Sequence, residues 1–158
     1  MKKSMFLLAC VLSNLFVLAQ NKYISVNFST GSSVIDGISG LNTSGTLEDR
    51  YDNSYHLKLL RGEYLTFSFD VSMNSPSGSF EIQHLTSASG DKNGYSPVTL
   101  YVNNHRVESW DNLGKAYITD KIAISAYLKK GNNKIDINYN NNGGSTGYWI
   151  KFVHIYTW

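Results

Sequence analysis

The chain has 158 residues, with 14 lysine and arginine side chains against 12 aspartates and glutamates. Lys2 and Lys3 account for the whole excess, so the rest of the chain carries no net charge. Because it also lacks a basic cluster, neither nucleic acid nor an anionic membrane surface is an expected partner. Tyrosine, asparagine, serine and glycine are abundant, which is typical of strands and loops rather than helices.

The N-terminal segment MKKSMFLLACVLSNLFVLAQ has the layout of a secretory signal, with two lysines, an apolar run and a small residue at the cleavage point. We expect residues 1–19 to be a cleaved signal peptide and residues 20–158 to form a single domain, secreted or held at the cell surface. The alternatives are a membrane anchor and a lipoprotein signal with Cys10 as the lipidated residue. The apolar run is interrupted by polar residues and is shorter than the roughly 20 residues that a spanning helix needs, which favours cleavage. Cys10 is the only cysteine, so the mature chain is expected to have neither a disulfide nor thiol chemistry.

Seven later segments alternate apolar and polar residues with the period of a β-strand. In chain order they are YISVNFS, EYLTFSFDV, SFEIQHL, VTLYVN, KIAISAYL, NKIDINY and YWIKFVHIYTW. The last segment differs from the others because it has apolar residues on both faces. Strands with one apolar face must pack face to face, so we predict an all-β fold, an antiparallel β-sandwich of jelly-roll type.

Two stretches lack a sustained period and are predicted to be loops. Residues 31–50 are expected to contain one short strand at most, and loops of that length are often functional. The other stretch surrounds Trp110, whose neighbours Glu108, Asp111 and Asn112 are polar. An exposed ring beside hydrogen-bonding groups suits a sugar, because the ring stacks on the C–H face while carboxylates and amides bind the hydroxyls. The alternative is that Trp110 caps one end of the core.

A family resemblance rests on four pieces in a fixed order, YHLKLLRGEYLTFSFDV, GSFEIQHLTSASG, SPVTLYVNNHRVESW and AYLKKGNNKIDINYNNNGGSTGYWIKFVHI. This order resembles the galactose-binding-like jelly rolls, in particular the family 6 and family 35 carbohydrate-binding modules. The resemblance implies a β-sandwich that binds a polysaccharide or glycan. It also implies a site with one aromatic residue from the loop before the Gly-acid-aromatic strand (here GEYLTFSFDV), a tryptophan from the loop after the hairpin and an asparagine from the loop before the last strand. The matching positions are Tyr55 (or Tyr51), Trp110, and one of Asn140, Asn141 and Asn142, with Asp111 beside the tryptophan.

The sequence departs from the pattern of these modules at three places. Asn104 stands in the hairpin where glycine is usual, and Lys151 stands where many members have an aspartate that helps to hold a structural calcium ion. The first strand segment, YISVNFS, also has no acidic residue to pair with it. We therefore expect neither a structural calcium ion of the family kind nor any other metal or cofactor.

No constellation in the sequence supports catalysis. The carboxylates of Glu48, Asp49 and Asp52 are neighbours, whereas glycoside hydrolysis needs two carboxylates roughly 5–10 Å apart on opposite sides of the bond. The histidines are scattered without zinc-binding spacing, at positions His56, His84, His105 and His154. A small lyase or hydrolase is therefore the least supported class.

The sequence predicts a secreted, non-catalytic, lectin-like module that binds a glycan by aromatic stacking and Asn/Asp hydrogen bonds. Since one shallow site binds weakly, oligomerisation would increase its avidity. The alternative is a structural or protein-binding secreted domain, such as an adhesion or matrix component. A sugar site should show rings with amides and carboxylates between them, whereas a protein-binding site should show a broad apolar surface.

Overall fold

The computed structural model describes residues 22–50, 54–60, 62–86, 98–110, 116–140 and 147–158. Within these residues, twelve strands and one short 3-10 helix, Ser125–Tyr127, form an all-β sandwich. The strands are β1 (Lys22–Asn27), β2 (Val34–Asp36), β3 (Ser39–Thr43), β4 (Thr46–Arg50), β5 (Ser54–Leu59), β6 (Tyr64–Val71), β7 (Gly78–Thr86), β8 (Val98–Val102), β9 (His105–Trp110), β10 (Ile118–Ala123), β11 (Gly131–Tyr139) and β12 (Tyr148–Thr157). The predicted fold class is confirmed.

The strands are distributed over two antiparallel sheets. The seven-stranded sheet has the order β10-β7-β12-β1-β2, and β5 lies beside the first part of β12 with β4 on its far side. The five-stranded sheet has the order β3-β6-β11-β8-β9. Strand β12 therefore pairs with three others, because β7 lies along one edge while β5 and β1 share the other edge.

The core lies between the two sheets and contains the apolar face of each alternating segment. From the five-stranded sheet, the buried side chains include Leu65, Phe67, Phe69, Val98, Leu100, Val102, Ile135 and Ile137. From the seven-stranded sheet, they include Ile24, Val26, Phe80, Ile82, Val153 and Ile155. Alternation selected these residues correctly because successive side chains of a strand point to opposite faces of the sheet.

Three sequence predictions about secondary structure were wrong. Residues 31–50 are not a long loop but carry β2, β3 and β4, and the segment before Trp110 is strand β9. Most of these are edge strands with little apolar burial, so they leave no period in the sequence. The segment KIAISAYL does not continue as a strand to Leu128, because β10 ends at Ala123 and the 3-10 helix follows.

A β-bulge in the middle of β12 decides which side chains of this strand face outward. The register with β7 shifts between Ile150 and Phe152, so Lys151 is the additional residue. Before the bulge, Tyr148 and Ile150 point into the core, and after it Val153 and Ile155 do so. The residues at positions 152, 154 and 156 consequently lie on the outer surface of the seven-stranded sheet.

Asn103 and Asn133 stabilise two turns at one end of the sandwich. One turn connects β8 to β9, and the other connects the 3-10 helix to β11. Asn103 and Asn104 both have positive φ angles, 51° and 67°, which form the two-residue hairpin turn. Asn133 is fully buried. Its amide donates to the carbonyl oxygens of Lys129 (2.8 Å) and Gly131 (2.9 Å). Its Oδ1 accepts from the Lys129 backbone N–H (2.9 Å) and from Asn103 Nδ2 (2.8 Å).

We expect Asn133→Ala to lower the free energy of unfolding by about 3 kcal/mol, because it removes four hydrogen bonds and leaves partly buried backbone groups without these partners. Urea denaturation of the two proteins measures the difference. The matched control is Asn132→Ala, whose exposed amide makes only a 3.5 Å contact with Asp70. A loss at Asn133 no larger than the control's would show that the turn does not depend on this side chain.

Candidate functional site

The structure places Trp110 inside the sandwich rather than in an exposed loop. Trp110 is the last residue of β9, and only 9% of its surface is exposed. Its ring meets the buried His84 imidazole edge-on, with ring centroids 4.7 Å apart. This position corresponds to the core-capping alternative; whether the ring also contacts a ligand stays a prediction.

The other predicted site residues do not assemble around Trp110 in the described part of the chain. Tyr55 lies in β5, in the opposite sheet, and its ring packs so closely on Gly31 that a Cβ there would be 3.0 Å from it. No ring contact joins Tyr55 to Trp110 among the described residues. Asn140 is exposed directly after β11. Four predicted positions lie outside the described residues, namely Tyr51, Asp111, Asn141 and Asn142.

A hydrogen-bonded network centred on His84, whose ring contacts Trp110, joins three strands, β7, β10 and β12. His84 of β7 is fully buried, and its Nε2 lies 3.0 Å from Asp120 Oδ2 on β10. Its Nδ1 lies 2.6 Å from the hydroxyl of Tyr148 on β12. Burial lowers the pKa of His84 to about 4, although the hydrogen bond and charge of Asp120 oppose this. The neutral ring thus donates to Asp120 and accepts from Tyr148, whose pKa burial raises well above its ordinary value. The network links these three strands around the fully buried His84 ring, while 34% of the Asp120 side chain is exposed.

A second group of aromatic rings lies on the outer surface of the seven-stranded sheet and was missed by the sequence reasoning. We call it the aromatic face and define it by Tyr23, Phe152, His154 and Tyr156. The rings of Phe152 and His154 stack with centroids 4.2 Å apart and planes at 12°. Tyr23 contacts His154 at 5.2 Å and Tyr156 at 5.3 Å, and 44% of its surface is exposed.

Polar side chains flank the aromatic face on both sides. On one side, Glu81 and Gln83 of β7 lie opposite His154 and Phe152, and Lys121 and Thr119 of β10 lie beyond them. Lys121 Nζ lies 5.3 Å from the centroid of the Tyr156 ring. On the other side, the flank is formed by β1 and β2, through Ser25, Asn27 and Asp36. The rings therefore form a narrow strip between two lines of hydrogen-bonding groups.

The aromatic face is uncharged at neutral pH. Burial lowers the pKa of His154, although the charge of Glu81, 3.6 Å from its Nδ1, opposes this. Burial, followed by the charges of Glu81 and Tyr23, raises the pKa of Tyr156. Both side chains are therefore neutral. The Tyr156 hydroxyl can donate and accept, whereas the Nδ1 atom of His154 is buried beside Glu81, which leaves Nε2 as the nitrogen of that ring that can meet a ligand. Such rings can stack on an apolar surface while their polar atoms bind hydroxyl groups.

Trp149, which precedes the bulge in β12, packs against Glu48 and Lys58. The Trp149 indole N–H donates to Glu48 Oε1 at 3.4 Å, and the same carboxylate binds Lys58 Nζ at 2.7 Å. Lys58 also lies over the Trp149 ring, 5.6 Å from its centroid. Because these contacts leave only 4% of Trp149 exposed, this ring supports the sheet rather than extending the accessible strip.

One sequence signal could have found the aromatic face. The closing segment YWIKFVHIYTW has large residues on both faces, which a strand with a solvated outer face does not need. The sequence does not show where the bulge lies. Without that position, the outward-facing residues of β12 cannot be predicted.

The described residues contain no group of three or more histidine, cysteine, aspartate or glutamate side chains that could hold a metal ion. Lys151, at the position where the resemblance implies a calcium-binding aspartate, lies with its ammonium 5.7 Å from the centroid of the Tyr117 ring. None of the described helices is both long and apolar enough to span a membrane.

Comparison with known proteins shows similarity in structure and none in sequence. No family model matches the chain, and neither does any curated protein. A CBM36 domain of a multidomain xylanase from the hindgut metagenome of Trinervitermes trinervoides matches with a TM-score of 0.54 at 13% identity, over 85% of this chain and 96% of that one. A family 35 carbohydrate-binding module from an environmental isolate gives 0.53 at 17% identity, over 81% and 90%. A family 29 module gives 0.53 at 17%, over 86% and 89%. The chain shares the jelly-roll fold of these modules, as the resemblance implied.

We expect His84 to make the stability of the protein fall in mild acid. Its pKa is lower in the folded than in the unfolded state, so unfolding takes up a proton between pH 6.5 and about 4. The contribution of His84 is fully present above pH 6.5 and decreases as the pH falls. Between pH 7 and pH 5 the free energy of unfolding should drop by about 2 kcal/mol from this group alone.

Urea denaturation at several pH values measures this slope in the wild type and in His84→Gln. The variant should be less stable at pH 7 and should show a much flatter slope. His105→Gln, at the exposed end of the hairpin, is the control and should keep the wild-type slope. An unchanged slope in His84→Gln would show that the buried histidine does not carry the pH dependence.

Proposed function

We propose that the protein is a secreted, non-catalytic carbohydrate-binding module, with a signal peptide cleaved after Ala19 and one domain over residues 20–158. The observation that carries this proposal is the aromatic face, a strip of rings with amides, carboxylates and hydroxyls along both sides. This is the arrangement expected of a sugar site rather than of a protein-binding patch. The shared fold with modules from three carbohydrate-binding families supports the proposal.

The mechanism is stacking combined with hydrogen bonding. The C–H face of a pyranose ring lies on Tyr156 and Tyr23, where burial of apolar area favours association. The hydroxyl groups at the edge of the ring then meet the flanking groups of Glu81 and Lys121. Because both partners give up water to form these bonds, each bond adds more to specificity than to affinity.

A protein-binding role is the weaker candidate. Large exposed apolar residues are present, but among the described residues they are carried by several separate strands and turns. They are Tyr23, Ile35, Leu47, Tyr55, Leu60 and Trp158. Polar side chains separate the rings of the aromatic face from the rest of the surface, whereas a protein interface has an apolar centre.

The loop-end site predicted from the sequence remains a second location for the ligand. It comprises Trp110, Tyr55, Asp111 and the Asn140 to Asn142 run. Because Trp110 is almost buried, a ligand there would contact little of its ring. Substitution of one residue in each region distinguishes the two locations.

A glycan array probed with the secreted protein tests the function and places the site. We expect binding to defined glycans that Tyr156→Ala weakens about tenfold or more, since it removes the central stacking ring. Tyr101→Ala is the matched control, because Tyr101 faces outward on β8 of the other sheet. It should bind as the wild type does.

Trp110→Ala separates the two locations in the same experiment. Loss in this variant, with binding kept by Tyr156→Ala, would move the site to the loop end and keep the function. No binding by folded wild-type protein to any glycan would contradict the function itself and favour a structural or protein-binding role.

A further inference from the structure

The row of aromatic side chains on β12 continues past the residues that define the aromatic face. Trp158 follows Thr157, whose side chain is buried on the core side. The ladder does not stop at Thr157, because the N–H of Trp158 donates to the Ser77 carbonyl at 3.0 Å and the Ser77 N–H donates back at 2.9 Å. Strand alternation therefore places Trp158 on the outer side, and 49% of its surface is exposed.

The row is several rings long and about one strand wide. Phe152, His154, Tyr156 and Trp158 occupy consecutive outward positions, so the six steps of about 3.4 Å from the first to the last give a row of about 20 Å. Glu81 lies opposite His154 on one neighbouring strand, and Ser25 lies opposite it on the other. Only Tyr23 widens the row. A single sugar would cover one ring and leave most of the row in water.

The charges around the row are mixed and include no excess of cations. The described ionisable side chains facing it are Glu81 on β7, Lys121 on β10 and Asp36 on β2. His154 is neutral at pH 7 because burial lowers its pKa, and Tyr156 keeps its proton. A polyanion would meet two carboxylates and one ammonium group here, which disfavours its binding.

We propose that the aromatic face binds the interior of an uncharged linear polysaccharide, with several consecutive sugars lying along β12 rather than one sugar at a chain end. The proposal rests on the proposed function and adds the ligand class and the direction of the chain. Stacking positions are distributed along the strand, and each added sugar reaches another ring. The affinity therefore increases with chain length until the row is filled.

Isothermal titration of the secreted protein with xylo-, cello- and manno-oligosaccharides of one to six units tests the dependence on length. Polygalacturonate serves as the acidic probe. We expect at least one neutral series to bind, with an affinity that rises about tenfold or more from the disaccharide to the longest members. The monosaccharide should show no measurable heat.

A monosaccharide that binds as tightly as its hexamer would overturn the inference while leaving the proposed function intact. Preferential binding of polygalacturonate would also overturn it. The absence of binding to all neutral and acidic probes would contradict both the inference and the function.

Two variants test the direction of the chain. Trp158→Ala removes one end of the row at an exposed position, so folding should be unaffected. We expect its affinity for the hexasaccharide to fall about threefold to tenfold and the affinity to level off at a shorter chain. Tyr101→Ala on the opposite sheet should follow the wild-type curve. An unchanged curve for Trp158→Ala would show that the chain does not run along the strand.

Imidazole NMR signals report on the location directly. Addition of the hexasaccharide should shift the ring signals of His154, which lies in the middle of the row. The signals of His105, at the hairpin of the other sheet, should not move. Shifts confined to His84, which contacts Trp110, would place the ligand at the loop end and contradict the inference.

Discussion

The pairing of β12 with three other strands is the constraint on which the rest of the structure depends. This strand lies in the middle of the seven-stranded sheet, with β7 along one edge and β1 and β5 sharing the other. Its backbone groups are therefore paired along both edges, and one of its faces is part of the core. A central strand of this kind is held in a single register, because a slip of one residue would send Val153 and Ile155 into solvent.

The fixed register of β12 also determines which of its side chains face outward. The bulge at Lys151 lets the strand keep Ile150 and Val153 inside while Phe152 turns outward. The rings outside then pack on one another, as the stacked pair Phe152 and His154 shows. Packing reduces the apolar area that each ring exposes and limits its rotamers. Less conformational entropy remains to be lost when a ligand binds.

The sequence predicted the parts of the molecule that are governed by alternation. Strands β6 and β11 were found because buried apolar side chains, such as Phe67 and Ile135, recur at every second position of each strand. The edge strands β2, β3 and β4 were missed because they bury little, and Trp110 was assigned to a loop because β9 is also an edge strand. In each of these cases the strand is specified by pairing with a neighbour, and a single sequence does not show pairing.

The site was harder to predict than the fold for a related reason. Trp110 was chosen because its neighbours in sequence are polar, but its neighbour in space is the buried ring of His84. The rings of the aromatic face are brought together across strands, since Tyr23 and Tyr156 are 133 positions apart in the chain and directly opposite in the sheet. Proximity of this kind depends on the register of β1 against β12, and on a bulge that has no sequence signature.

The loop end and the outer surface of the sheet differ as places for a ligand. The network of His84, Tyr148 and Asp120 holds the strand ends together at a buried point, and its role is complete within the protein. The outer surface of the sheet is more open, because Tyr23 on β1 and Trp158 directly after β12 remain nearly half exposed. Exposed rings on a sheet lose apolar stabilisation that burial would provide. A ligand that covers them would regain it without reorganising the backbone, which is the physical reason for proposing that a sugar chain binds along β12.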